Sequence, residues 1–369
     1  SMKYKYVDLL LYSEEKILDI KTLLSKHYNS LGYLNYLPGD FEIKLIQHAG
    51  FNIKTKRDKI NIEIITANNN KWALYLKLFL AVKKNPPDVL LLHSFIYAWQ
   101  IIVFRIIVGN KVKLIVQNHA ERPYKGVRQL LQKYADKFIS AYLFVSKEQA
   151  NSWIEKGIIK NRNKVFEVME GSTSFMVKNK EGAKKNLGYS YKTLFIWVGR
   201  LDSNKDPLTV LKAFAVYVKQ NTNAKLMMVY GTCDLEVLVK TFIEQNHLSS
   251  HVDVFGKLEH HLLEDYYNAA DYFILGSHYE GSGYALCEAM ACGCIPIVTN
   301  IPSFKSMTNN GDCGFLFSPG NHLELLQILN NLKPEEIEFY KTKVLDKFKN
   351  DLSFEAIANR ISEIVKQLD

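Results

Sequence analysis

Short apolar strands alternate with helix-period segments from one end of this chain to the other. That alternation constrains the fold more than any other feature. Residues 6–12, 41–47, 60–66, 89–92, 113–117 and 141–145 read as strands in the first half, and 193–198, 225–229, 252–255, 271–275 and 295–298 in the second. Strands separated by helices predict parallel sheets covered by helices on both faces. The chain has 369 residues, and a prior of roughly 150 residues per domain gives about two such sheets. The stretch 178–189 is rich in Lys, Asn and Gly and sparse in apolar residues, which places the linker there. Ligands of open parallel sheets bind beyond the carboxyl ends of the strands. Two such domains facing each other therefore predict a cleft.

Composition narrows the class. Hydrophobic residues make up 47% and charged residues 23%, which excludes a disordered, collagen-like or disulfide-stapled chain. The formal net charge is +9, and it is one-sided. Residues 1–180 hold 29 Lys and Arg against 15 Asp and Glu, whereas the remainder holds 18 against 23. A basic first half favours anionic partners such as phosphorylated substrates or acidic lipid headgroups. Nucleic acid is not expected, because no aromatic-basic platform or recognition motif accompanies the charge.

The five cysteines, Cys233, Cys287, Cys292, Cys294 and Cys313, all lie in the acidic half. Their odd number, with no signal peptide ahead of them, argues against a disulfide framework and for a reducing cytoplasm. Cys287, Cys292 and Cys294 lack a second Cys-x-x-Cys or a nearby His pair, and read as small buried residues rather than metal ligands. Ser1 before Met2 reads as a cloning remnant. The run 89–108 comes nearest to a membrane span, but His93, Gln100 and Arg105 interrupt it. A strand followed by a buried helix is expected instead. The segment 72–84 is apolar, aromatic and ends in two lysines. Two readings stand for it: a helix packed on a sheet, or a helix lying on an anionic membrane surface.

Two constellations carry chemistry. In the first, a strand ending at Val198 runs into Gly199-Arg200-Leu201-Asp202-Ser203-Asn204-Lys205-Asp206-Pro207. The chain turns at a glycine, delivers Arg and Lys five residues apart, and reaches a proline suited to the first turn of a helix. Cations beside a helix N-terminus suit an anion, Arg as a bidentate clamp and Lys as a mobile charge. Alone, the segment reads equally well as a solvated charged loop. In the second, Glu280-Gly281-Ser282-Gly283-Tyr284 leads through Cys287 and Glu288 to Gly293. Gly281 and Gly283 permit close backbone approach to a ligand, and a helix starting at Tyr284 points its first N–H groups there. Two carboxylates flanking such a nest suit a polyhydroxylated, phosphorylated ligand. Among the histidines, His119 sits in a polar loop at a strand end with Glu121 and Arg122. His93 ends an apolar strand and reads as core or cleft wall, and His260 and His261 read as solvated.

In this order and spacing, these residues resemble the retaining glycosyltransferases of the GT-B fold, the GT4 group. The likeness is closest over residues 193–330. It rests on Gly199-Arg200 with Lys205, on Glu280-x7-Glu288, and on Glu288-Ala-Met-Ala-Cys-Gly293-x-Ile-Pro. In the first half it rests on Pro87-Asp-Val-Leu-Leu-Leu-His93, Gln117-Asn-His119 and Leu143-Phe-Val-Ser146. The resemblance implies an α/β GT-B protein with two doubly wound Rossmann-like domains facing across a cleft. Residues 1–180 would bind the acceptor, 190–350 the nucleotide-sugar donor, and a helix in 351–369 would pack back on the first domain. It assigns donor binding to Gly199, Arg200, Lys205, Gly231, Gly256, Lys257, Glu280, Gly281, Ser282, Gly283, Tyr284 and Glu288. Catalysis falls to Glu280, His119, Arg200 and Lys205. The chain departs from the family's pattern at Tyr12-Ser-Glu-Glu15, where a Gly-rich loop is common. Ser282 replaces a bulky aromatic, Cys287 a leucine or glutamate, and Asn300-Ile-Pro-Ser-Phe304 the run Gly-Gly-x-x-Glu.

The implied activity is transfer of a hexose-type sugar from a nucleoside-diphosphate sugar to a glycan, lipid-linked or other anionic acceptor, with retention of configuration. Surface-polysaccharide assembly, in the cytoplasm or peripherally at the inner face of the membrane, is the implied setting. The sequence has no Asp-x-Asp, the carboxylate pair that commonly places Mg²⁺ or Mn²⁺ on a diphosphate. With Arg200 and Lys205 present instead, no metal and no further cofactor are expected. Fixed cations stabilise a departing diphosphate most strongly in a dry cleft. Two rivals remain: a nucleotide-sugar epimerase of the same architecture, and a catalytically silent module that binds nucleotide sugar or glycan.

Overall fold

A computed structural model describes residues 4–66, 70–231 and 234–368. The chain divides into two compact units, Ser1–Ser172 with Phe354–Asp369, and Thr173–Ser353. The sheet of unit 1 contains β1 (Tyr4–Leu10), β2 (Phe41–His48), β3 (Ile53–Arg57), β4 (Ile60–Ile65), β5 (Val89–His93), β6 (Lys113–Gln117), β7 (Ala141–Phe144) and β8 (Val165–Glu167). Their order is β3-β4-β2-β1-β5-β6-β7-β8. All neighbours are parallel except β3 and β4, which corrects the expectation of a wholly parallel sheet. β3 is a basic, largely exposed edge strand, and Lys and Arg on an edge discourage pairing with other chains.

Unit 2 holds β9 (Thr193–Gly199), β10 (Ala224–Tyr230), β11 (Val252–Phe255), β12 (Tyr272–Leu275), β13 (Ile295–Thr299) and β14 (Phe315–Phe317). The order is β11-β10-β9-β12-β13-β14, parallel throughout. Each sheet winds outward from its first strand and then reverses. The switch points lie between β1 and β5 and between β9 and β12, where doubly wound sheets open a crevice at the carboxyl edge.

The first sheet shows why its strands form. Val7 and Leu9, Leu90 and Leu92, Leu114 and Val116, and Tyr142 and Phe144 recur two residues apart along β1, β5, β6 and β7. They pack against Leu74, Leu78 and Phe79 of helix Lys71–Lys84 and Ile101 and Phe104 of helix Ala98–Val108. Each such side chain contributes ~1.5–3 kcal/mol on burial. The run 89–108 is therefore a strand and a packed helix. Its buried Arg105 donates to the carbonyls of Gly109, Val112 and Phe138 at 3.1, 2.7 and 2.6 Å. Among the described residues no helix is long and apolar enough to cross a membrane.

The linker expectation is corrected. Residues 178–189 contain helix Lys180–Asn186 of unit 2, and the division falls at Ser172 and Thr173. The lysines that suggested a linker make ion pairs. Lys180 Nζ lies 2.6 Å from the buried Asp271, and Lys178 Nζ reaches Glu264 and Asp265 at 2.7 and 2.9 Å. The final helix Phe354–Leu368 belongs to unit 1. Phe354 packs edge-on against Tyr28, 5.3 Å between ring centres, over Gly32, whose missing Cβ leaves room for the ring. Cys287, Cys292, Cys294 and Cys313 are free and buried. Cys233, Ser1 and Met2 lie outside the described residues.

Candidate active site

Every donor-side residue singled out in the sequence lies at or just beyond the carboxyl edge of the second sheet. Gly199 ends β9, Gly231 follows β10, and Gly256 and Lys257 follow β11. The Glu280–Tyr284 run lies between β12 and helix Tyr284–Ala291, and Glu288 lies within that helix. A Cβ added at Gly231 or Gly256 would meet no protein atom within 4 Å.

Two loops at the β9/β12 switch point are laced together. Asn204 donates from its side chain to the Tyr279 carbonyl and accepts from the Tyr279 amide, at 2.9 and 3.0 Å. The His278 amide donates to the Asn204 carbonyl at 2.8 Å, and the His278 ring contacts Asp206 at 2.9 Å. Asp206 caps helix Pro207–Tyr217 through Thr209, from a left-handed backbone. This lacing places Lys205 Nζ in a short contact with Glu280, which also accepts from Ser277 Oγ at 2.6 Å. An ammonium carries three N–H groups, so Glu280 does not exhaust it. Arg200 is mostly exposed and lies 3.2 Å from Asp202.

Gly283 starts helix Tyr284–Ala291 with φ +73°, and a Cβ there would lie 2.6 Å from the Phe304 ring. Phe304 belongs to the segment that departs from the family pattern, and Ser303 of that segment donates to the Glu280 carbonyl at 3.3 Å. The replacement therefore buttresses the loop from beneath. Ser282 is buried. Glu288 is buried too, and accepts from Tyr267 at 3.3 Å while its other oxygen meets His260 Nε2 at 2.5 Å. His260 is exposed, as expected, but it also stacks on Phe175 at 4.9 Å, and the bond to Glu288 raises its pKa against the lowering effect of burial. His261 is exposed. The pairing of His260 with a residue 28 positions away is set by the fold and leaves no local signal.

In unit 1, His119 forms part of a chain of titratable groups. Asp8 Oδ1 meets His93 Nε2 at 2.9 Å, His93 Nδ1 meets His119 Nε2 at 2.8 Å, and His119 Nδ1 contacts Glu170 closely. Tyr33 donates to the other oxygen of Asp8 at 2.6 Å, and the His119 amide donates to Glu121 at 2.7 Å. Both ring nitrogens of His119 are thus engaged. Ser94 and Ala120, the residues after the two histidines, have φ of +82° and +71°. A non-glycine residue there carries ~1–3 kcal/mol of strain that the surroundings must hold. Sequence reasoning missed Asp8 and Glu170. The available signal was an acid inside the apolar strand β1. The Glu14 loop, which lacks the family's glycines, is fastened by Glu14 to Lys26 and His27 at 2.6 and 3.0 Å.

Residues 179–343 match the family model described as "Glycosyl transferases group 1". That segment resembles the group 1 glycosyltransferases. The chain is 24% identical over 288 residues to the capsular polysaccharide biosynthesis glycosyltransferase CapH of Staphylococcus aureus, spanning 73% of this chain and 76% of that one. It is 30% identical over 148 residues to the poly(glycerol-phosphate) alpha-glucosyltransferase of Bacillus subtilis, covering 40% of this chain but 21% of that one. Its fold is similar to that of Anabaena HepE solved in complex with UDP and glucose. The TM-score is 0.70 at 14% identity, over 99% of this chain and 100% of the other. The two α/β units are those of the GT-B fold.

Proposed function

We propose that this glycosyltransferase moves a hexose-type sugar from a nucleoside-diphosphate sugar, bound by unit 2, to an anionic or lipid-linked glycan acceptor bound by unit 1. The transfer retains configuration and uses no metal. The observation that carries the reading is Lys205 paired with Glu280 beside Arg200 at the carboxyl-edge switch point of the second sheet. In this reading Arg200 and Lys205 bind the diphosphate and stabilise the charge that develops on it as the glycosidic bond breaks. Glu280 orients the sugar hydroxyls, and Glu288 the ribose hydroxyls. The backbone of Gly281, Ser282, Gly283 and Tyr284 approaches sugar and phosphate. Gly231, Gly256 and Lys257 approach the nucleoside, where the missing Cβ atoms leave room the protein does not fill. His119 acts on the transferred sugar. UDP-hexoses are the first donors to try, because the structurally similar HepE was solved with UDP and glucose.

The test is a thermal-shift screen of nucleoside diphosphates and their sugars in EDTA, followed by NMR of the product's anomeric centre. A ligand bound only by the folded state raises its stability by RT ln(1+[L]/Kd). The reading expects one diphosphate to stabilise the protein and Arg200→Ala to abolish the shift. No stabilisation by any of them, or an epimerised donor with no free diphosphate, overturns it.

The acceptor side draws on charge. Helices Lys71–Lys84, Ala98–Val108 and Val127–Ala135 contain no acidic residue. Residues 71–135 hold 11 Lys and Arg against 2 Asp and Glu. These helices also expose Trp72, Leu76, Leu80, Ile106, Val127 and Leu130, with Trp72 69% and Val127 74% accessible. Apolar side chains among cations suit an anionic bilayer. We place the enzyme peripherally at such a surface. Co-sedimentation with phosphatidylglycerol vesicles, but not phosphatidylcholine vesicles, weakened by salt and by Trp72→Ser with Leu76→Ser, is the expected result. Equal binding to both vesicles, or to neither, overturns it.

A further inference from the structure

We propose that His93 is a positioning residue that, with Asp8 behind it, keeps a proton on His119, so that His119 offers an N–H to an oxygen of the bound substrate. The inference rests on the glycosyltransferase reading only for its last clause. Asp8, His93, His119 and Glu170 stand end to end in three contacts, two of them at 2.9 and 2.8 Å. Each contact needs one proton between its heavy atoms. Two neutral imidazoles supply two N–H groups, so the arrangement holds a third proton. A carboxylate at each end makes the central pair the place for that proton, as N–H⁺ on one ring facing the lone pair of the other. The Tyr33 hydroxyl also donates to Asp8, at 2.6 Å.

The surroundings support a retained cation. Glu121 approaches His119 through its amide, and Tyr12 lies close enough to Glu121 and Glu170 to feel both charges. On the far side, Tyr6 bonds Tyr33 at 2.9 Å, and His27, whose ring contacts Glu14, lies close enough to His93 to feel it, with its own pKa lowered by burial. Burial acts to lower the pKa of His119, but Glu170, Glu121 and Asp8 outweigh it and leave it raised. The left-handed residues after each ring, Ser94 and Ala120, show that the backbone bears strain at both histidines. Strained residues gather where geometry serves function.

A substrate oxygen that displaces His93 as acceptor would find the Nε2–H of His119 already in place. A hydroxyl fits both rings, since it accepts from His119 and donates to the Nδ1 lone pair of His93. Nothing covalent changes in this step, and the proton stays on the pair.

The experiment uses the full chain labelled with ¹⁵N-histidine, read by long-range ¹H–¹⁵N correlation without substrate. At pH 7.5 the expected pattern among the ten histidines is one pair holding three N–H protons, lost together in His93→Asn. Asp8→Asn is expected to lower the titration midpoint of His119. Two singly protonated, neutral rings in the wild type overturn the proposal, and that result needs no folded variant. An unmoved His119 midpoint in Asp8→Asn also overturns it. These readouts hold whatever reaction the enzyme performs. For the role in transfer, His93→Asn is expected to shift the alkaline limb of the kcat profile downward while KM for the donor changes little. An unchanged limb overturns that role.

Discussion

The two sheets share a winding order, yet their switch-point crevices are built from opposite materials. In unit 2 the crevice is made of backbone and loops, with glycines at the ends of β9 and β10 and beyond β11, and two cations, Arg200 and Lys205, among them. In unit 1 the same topological position is filled by side chains, the buried Asp8, His93 and Glu170 joined through His119. One crevice is cationic and leaves space, and the other is acidic at both ends and closed by two hydrogen bonds and an ion pair. The lesson is that topology fixes where a ligand goes, whereas the residues at the strand ends fix what kind of ligand it is.

The largest expected effect tests the cationic side. Lys205→Ala removes the ammonium proposed to meet the developing charge, which is also the cation that Glu280 pairs with. It is expected to lower kcat by about 10²- to 10³-fold, the range seen when one such donor is lost. Asp8→Asn is expected to leave nucleoside-diphosphate binding intact, because the diphosphate is proposed to bind in the other crevice. Isothermal titration of both variants checks the contrast. Equal loss of diphosphate affinity in the two would erase it.

Gly283→Ala breaks the backbone basis of unit 2. It forces a side chain onto φ +73° and against the Phe304 ring, and about 1–3 kcal/mol of stability is expected to go. Denaturant unfolding measures the loss. Gly283→Ala combined with Phe304→Leu separates the two causes. If the ring contact dominates, the second change restores stability, and if the dihedral dominates it does not.

The sequence revealed what is local. The strand cores were visible because an apolar run buried on both faces has few other uses, and the donor loops because glycines and cations keep fixed spacings. β8 and β14, each three residues long, and the basic edge strand β3 carried too little apolar pattern to register. The misplaced linker shows a different limit. Lys178 and Lys180 look like solvated charge in one dimension, and only the folded chain brings Glu264, Asp265 and Asp271 to them. The same limit hid the chain through Asp8 and Glu170, in which one contacting pair, Asp8 and His93, is 85 positions apart.

The smallest expected effect lies at Glu288, where His260 occupies the carboxylate proposed to take the ribose hydroxyls. The bond to Glu288 raises the pKa of His260 in the folded state. A raised folded pKa means that the charged pair stabilises fully below the unfolded value, about 6.5, and that this contribution is lost as pH rises through the folded value. The Tm difference between wild type and His260→Gln is therefore expected to be greatest below about pH 6.5 and to fade as pH rises through the folded value. Ribose hydroxyls that take up Glu288 compete with His260 for the same oxygens. Nucleotide binding is thus expected to strengthen slightly as pH rises across this window, and His260→Gln is expected to flatten that trend. Calorimetric titration at a series of pH values reads both slopes. A nucleotide affinity equally pH-dependent in the variant would place the ribose away from Glu288 and leave His260 a purely structural partner.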